Sequence, residues 1–123
     1  MSRATRFHKD LAGLLAQYAK LLKPNLTYSC IQVCRDLPST LHIDPRNVGP
    51  SGLVTFGDYV GGNFWIWDDK NGNIKMEVNN PIRNRPEIPV GGTLNGTLHD
   101  TKEDMAIFDA TNPHCAQPFI GTR

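Results

Sequence analysis

The stretch LHIDPRNVGPSGLVTFGDYVGGNFWIWD, residues 41–68, decides how the chain is read. Short runs of β-forming residues near 40–44, 52–57 and 63–68 are cut by turn residues, Gly49-Pro50-Ser51 and Gly61-Gly62. Successive short strands at this spacing predict a sandwich or barrel. Residues two apart on a strand point to the same face. His42 and Asp44 therefore share one face, with Ile43 on the other. An imidazole and a carboxylate side by side are metal-ligand types.

The pattern continues downstream. Strands are predicted near 73–78, 93–99, 104–109 and 114–117, between turns at Lys70-Asn71-Gly72-Asn73, in the proline-rich stretch 81–91 and at Asn112-Pro113. Asn71-Gly72, between Trp65–Asp68 and Ile74–Val78, predicts a hairpin. Residues 79–92, with Pro81, Pro86 and Pro89, predict a long loop of the kind that borders sites. Upstream, residues 28–34 alternate and predict a further strand. Residues 5–22 carry Leu11, Leu14, Leu15, Tyr18, Leu21 and Leu22 at spacings of three and four, which marks an amphipathic helix. Lys20 and Lys23 suit the negative end of its dipole, and Pro24 stops it. The expected organisation is one mainly β domain over 1–123, with an N-terminal helix.

A chain of 123 residues can bury one core. Its net charge of +1 offers no strongly basic surface for nucleic acid, although Lys75, Arg83 and Arg85 leave room for a local patch. No apolar run approaches the ~20 residues of a membrane span. The start, MSRATRFHKD, lacks the apolar stretch of a signal peptide. The expectation is an intracellular protein, cytoplasmic or nuclear. Three cysteines, an odd number, argue against a disulfide framework. Cys30 and Cys34 share a face of the predicted strand, but with Cys115 alone no second pair completes a zinc site. Three reduced thiols in or near the core are expected.

A metal centre at His42 and Asp44 needs a third ligand from a remote strand. His114 is preferred to His99, because only His114 has an arginine nine positions on, Arg123; the position nine after His99 is Phe108. His8 lies on the predicted helix and reads as solvated. Each residue alone has a plain explanation: His42 as a hydrogen-bonded histidine, Asp44 before Pro45 as a turn residue, His114 as an exposed residue after a turn. Jointly they are two imidazoles and a carboxylate. That set occupies one face of an octahedral ferrous ion and leaves three positions open. The Arg123 guanidinium fork suits a bidentate grip on a carboxylate.

Five pieces occur in order: H-x-D at 42–44, GPS at 49–51, GDY-x-GG at 57–62, FD-x-x-x-PH at 108–114 and PF-x-G-x-R at 118–123. Together they resemble the catalytic core of 2-oxoglutarate and Fe(II)-dependent dioxygenases, closest to the branch of the TET/JBP nucleic-acid base oxygenases. The likeness covers roughly residues 28–123. It implies a double-stranded β-helix (jelly-roll, cupin-like) over 27–123, iron held by His42, Asp44 and His114, and Arg123 on the distal carboxylate of 2-oxoglutarate. With O2 as the other cosubstrate, the implied reaction oxidises a C–H bond of an unidentified substrate, a nucleobase among the candidates. Trp65 and Trp67 share a strand face and could stack on a flipped base, although core packing is the expected role. Gln32 and Ser51 are candidates for a second polar contact to the cosubstrate, and Asn47, Asp58 and Tyr59 for the site rim. In that family an apolar strand follows the arginine, so the last strand of the barrel is expected to be missing here, leaving an open edge. The alternative is a catalytically inactive β-helix domain that binds a ligand or partner without turnover.

Overall fold

The polypeptide, described from Met1 to Arg123 in a computed structural model, forms two helices followed by eight short strands. It divides into two units, Met1–Val33 and Cys34–Arg123.

The first unit holds α1 (Arg3–Phe7) and α2 (Lys9–Leu22). The single helix expected over 5–22 starts earlier and is interrupted at His8, whose φ of −126° and ψ of 50° leave the helical region. Ser2 caps α1 by accepting from the Thr5 N–H at 3.1 Å. Lys23 closes α2 by donating its backbone N–H to Ala19, and Pro24 follows, as the sequence predicts. The Tyr28 hydroxyl donates back to the Ala16 carbonyl at 3.4 Å. The strand expected over 28–34 does not form. Tyr28, Ile31 and Val33 alternate in sequence but are all exposed. Without a ladder partner, alternation alone does not make a strand.

The second unit is antiparallel β. Its strands are β1 (Ser51–Leu53), β2 (Asp58–Gly61), β3 (Phe64–Trp67), β4 (Ile74–Glu77), β5 (Thr93–His99), β6 (Ala106–Phe108), β7 (His114–Ala116) and β8 (Phe119–Thr122). They form the pairs β1-β6 and β2-β8 and a four-stranded sheet in the order β4-β5-β3-β7. The protein is thus mainly β with N-terminal helices, as the turn-punctuated pattern predicts. The strand expected at 40–44 is reduced to an isolated bridge between His42 and His114. β2 and β8 arise where no strand was expected, in glycine-bearing stretches.

The hairpin expected at Asn71-Gly72 does not form, because β5 lies between β3 and β4. Gly96 of β5 pairs with Trp67 on one side and Ile74 on the other. The connection after β3 starts with an Asx turn, in which the Asp68 carboxylate accepts the N–H groups of Lys70 and Asn71 at 3.1 and 3.0 Å. The chain then passes Gly96 with Gly72 against its backbone: a Cβ on Gly72 would stand 2.5 Å from the Gly96 nitrogen. Only glycine permits this approach.

The core gathers Phe64, Trp65, Val78, Ile82, Met105, Ala110 and Cys115. Trp65 is 0% exposed, and its indole N–H is satisfied by the Ile74 carbonyl at 3.0 Å. That is the packing role expected of it. Trp67 is only half-buried and donates to Asp69. No helix is long and apolar enough to cross a membrane.

Candidate metal centre

His42, Asp44 and His114 converge, with one ligand atom of each lying within 4.8 Å of the others. Backbone pairing brings the two histidines together. His42 N–H donates to the His114 carbonyl at 3.1 Å, and His114 N–H returns the bond at 3.0 Å. Their rings stand 4.4 Å apart, centre to centre. Two residues on, the Asp44 N–H donates to the Ala110 carbonyl at 2.8 Å, which sets the carboxylate on the same side.

The orientation of each imidazole has a definite cause. His42 Nδ1 lies 2.6 Å from the Thr40 carbonyl, and His114 Nδ1 lies 2.8 Å from the Asn112 carbonyl. A carbonyl only accepts, so both Nδ1 atoms carry hydrogen and both Nε2 lone pairs are available. Those Nε2 atoms face Asp44: 3.9 Å from His42 to one carboxylate oxygen and 3.7 Å from His114 to the other. Two donors sharing an ion at about 2.1 Å each stand at most about 4.2 Å apart. The two histidine-to-carboxylate separations, each to a different oxygen, fall inside that limit, and the set as a whole lies within 4.8 Å. The backbone carbonyls behind the rings are the outer-shell partners that metal-bound histidines require. The donor set therefore could hold a metal ion, and its two-nitrogen, one-carboxylate composition fits ferrous iron.

Burial is uneven. The His114 side chain is 4% exposed, against 44% for His42 and 58% for Asp44. Phe108 and Phe64 wall His114 at 5.0 and 5.7 Å between ring centres. The site is closed behind His114 and open at Asp44. Beside Asp44 in the chain, Asn47, Val48, Gly49 and Pro50 face Asp109 and Thr111 across an open cleft of about 510 Å³.

Burial pushes His114 below its ordinary value of 6.5, against an opposing contribution from the Asn112 carbonyl. A folded value below the unfolded one means that folding resists protonation of this residue. The stability it confers is complete above pH 6.5 and is lost as pH falls through the folded value. The metal-free protein is expected to lose melting temperature below pH 6.5, and His114→Gln to lose less over that window. Parallel pH profiles for the two proteins would remove His114 as the source.

The other candidates lie outside the three-residue cluster. His99 ends β5, where its Nε2 meets the Thr97 hydroxyl at 2.8 Å, and it is not in the cluster. His8 marks the helix break. Arg123 follows β8; its Nη1 donates to the Gly62 carbonyl at 3.0 Å, and its guanidinium lies 4.0 Å from the Phe119 ring centre and 5.8 Å from that of Tyr59. The seat needs Gly62, where a Cβ would stand 2.6 Å from Nη1. Lys102 lies 5.0 Å from the same Tyr59 ring, and the Tyr59 hydroxyl bonds to Thr55, which meets Thr101 at 3.1 Å. Ser51 pairs with Phe108, next to the histidine wall. Cys30 and Cys34 are exposed rather than core residues, and only Cys115 is buried.

Sequence reasoning marked a turn at Asn112-Pro113 but missed the Asx turn that opens the loop at Asp109. Asp109 accepts the Thr111 N–H and hydroxyl at 2.9 and 2.6 Å, which holds its carboxyl below the usual range. An Asp two residues before a Thr is an Asx-turn signal, and it could have flagged this loop. In the sequence Arg85 reads only as part of a local basic patch; its Nη1 donates to the Thr111 carbonyl of this loop at 3.3 Å. Comparison with protein-family models, with curated proteins and with solved structures finds no match to this chain.

Proposed function

We propose that this chain is an Fe(II)- and 2-oxoglutarate-dependent dioxygenase on a double-stranded β-helix, oxidising a C–H bond of its substrate. The observation that carries the reading is the convergence of His42, Asp44 and His114 with both Nε2 lone pairs turned to one carboxylate. When bound, iron and 2-oxoglutarate supply the chemistry, coupling decarboxylation of the cosubstrate by O2 to oxidation of the substrate. The residues supply placement. His114 and His42 present their Nε2 atoms from a fixed backbone pair, and the exposed Asp44 completes the ligand face. Phe64 and Phe108 keep water from the back of His114. Arg123, seated on the Gly62 carbonyl and against the Phe119 ring, is the cation offered to the distal carboxylate of 2-oxoglutarate. The substrate approaches from the open side, where Asp44 is exposed.

Anaerobic titration with ferrous iron and 2-oxoglutarate tests the reading. A visible charge-transfer band on adding both, and succinate on admitting O2, are expected. Iron binding with no succinate under any substrate would favour the inactive, ligand-binding alternative. Arg123→Lys is expected to weaken 2-oxoglutarate binding about tenfold while iron binding holds, because lysine keeps the charge but loses the planar fork. A charge-assisted hydrogen bond contributes about 1.5–3 kcal/mol, enough for that loss. Equal cosubstrate affinity in the two proteins would take Arg123 out of the site.

A further inference from the structure

We infer that Arg85 is a positioning residue for the metal centre, acting through the 109–113 loop on Asp44 and His114; the inference rests on reading those residues as metal ligands. Five successive carbonyls in this loop each take a different donor. Asp109 accepts from Asn112 N–H at 3.1 Å, Ala110 from Asp44 N–H at 2.8 Å, and Pro113 from Trp67 N–H at 3.0 Å. Asn112 accepts from His114 Nδ1 at 2.8 Å. The middle carbonyl, Thr111, accepts from Arg85 Nη1 at 3.3 Å. Two of the five donors belong to ligand residues, and Arg85 is the only cationic one.

Peptide planarity makes the middle bond matter. The Thr111 carbonyl shares a rigid plane with the Asn112 nitrogen. Turning that plane rotates the neighbouring planes, which carry the Ala110 and Asn112 carbonyls. Asp44 and His114 would both lose their alignment. A guanidinium donor is charge-assisted and resists such turning more than a neutral one.

Arg85 is itself held. It ion-pairs with Glu87 through Nε, and its guanidinium lies 5.6 Å from the Trp67 ring centre. Its side chain is only 22% exposed. It reaches the loop from the proline-rich segment after β4, whereas its neighbour Arg83 is exposed. Trp67 therefore serves the loop twice, by its backbone N–H to Pro113 and by its ring beneath Arg85.

The test uses Co(II), whose visible bands report both affinity and coordination geometry, titrated into the full chain with melting temperature measured alongside. Wild type is expected to bind one Co(II). Arg85→Met keeps the length and the apolar stem but has no donor, and is expected to bind about tenfold more weakly with altered bands, as outer-shell losses do. Arg85→Gln restores a donor and is expected to recover part of that affinity. Arg83→Met should match wild type. If Arg85→Met does not fold, Glu87→Gln decides: freeing Arg85 from its ion pair should lower affinity in the same direction. Wild-type affinity in every folded Arg85 and Glu87 variant, or an equal loss in Arg83→Met, overturns the role of Arg85 while leaving the metal site standing. No Co(II) binding by wild type overturns the site reading and this inference with it.

Discussion

His114→Ala is expected to abolish high-affinity metal binding, and His99→Ala to leave it unchanged. His114 is the buried ligand of the three, fixed by a reciprocal backbone pair with His42 and by the Asn112 carbonyl on its ring. Loss of an outer-shell partner alone costs a metal site about 10–100-fold, so losing the ligand itself should exceed that range. His42→Ala and Asp44→Ala should fall in the same direction. His99, engaged with Thr97 on β5, and His8, at the helix break, provide matched controls. Anaerobic Fe(II) or Co(II) titration of the five variants makes the comparison. Full binding by His114→Ala, or its loss in His99→Ala, would show that the third ligand was misassigned.

A large effect on folding is expected at Gly96. A Cβ there would lie 2.3 Å from Trp65 Cε2 and 2.4 Å from the Ile66 carbonyl oxygen. Neither can retreat. Trp65 is wholly buried and tied by its indole N–H to Ile74, and Ile66 belongs to the ladder between β5 and β7. Overpacking typically costs 1–3 kcal/mol, so Gly96→Ala should lose about 3 kcal/mol and more than about 10 °C in melting temperature. Gly13→Ala is the control: its added methyl meets nothing within 4 Å, and on α2 alanine gains up to about 1 kcal/mol over glycine. A wild-type melting temperature for Gly96→Ala would mean that β3 and β5 separate readily, and that the crossing at Gly96 does not organise the sheet.

The two kinds of sequence signal fared differently. Periodicity located most strands of the second unit, because a half-buried strand must alternate and its ends must turn. It failed at residues 28–34, where alternation met no partner, and at Asn71-Gly72, where a local turn signal was overruled by β5 inserting between β3 and β4. Pairing across long separations is not written in any local window. The i, i+2 spacing of His42 and Asp44 did bring them to one side, although the strand assumed for them is a single bridge. Choosing His114 over His99 rested on an offset to Arg123, and the cluster contains His114. The carbonyls of Thr40 and Asn112 that orient the rings were illegible, since backbone groups have no residue signature.

Cys115 follows His114 directly on β7 and is buried, with its thiol pushed up to about 11 by desolvation. Four pH units below that value, only about one molecule in ten thousand carries the thiolate, the form that oxidants attack. The oxygen chemistry proposed for this centre would expose its surroundings to stray oxidants, to which soft sulfur is vulnerable. Here the sulfur nearest in sequence to a candidate ligand is kept protonated and out of water. Cys30 and Cys34, out in solvent, are the thiols open to damage. The same apolar packing that builds the sheet thus keeps the thiol beside a candidate metal ligand in its less reactive, protonated form.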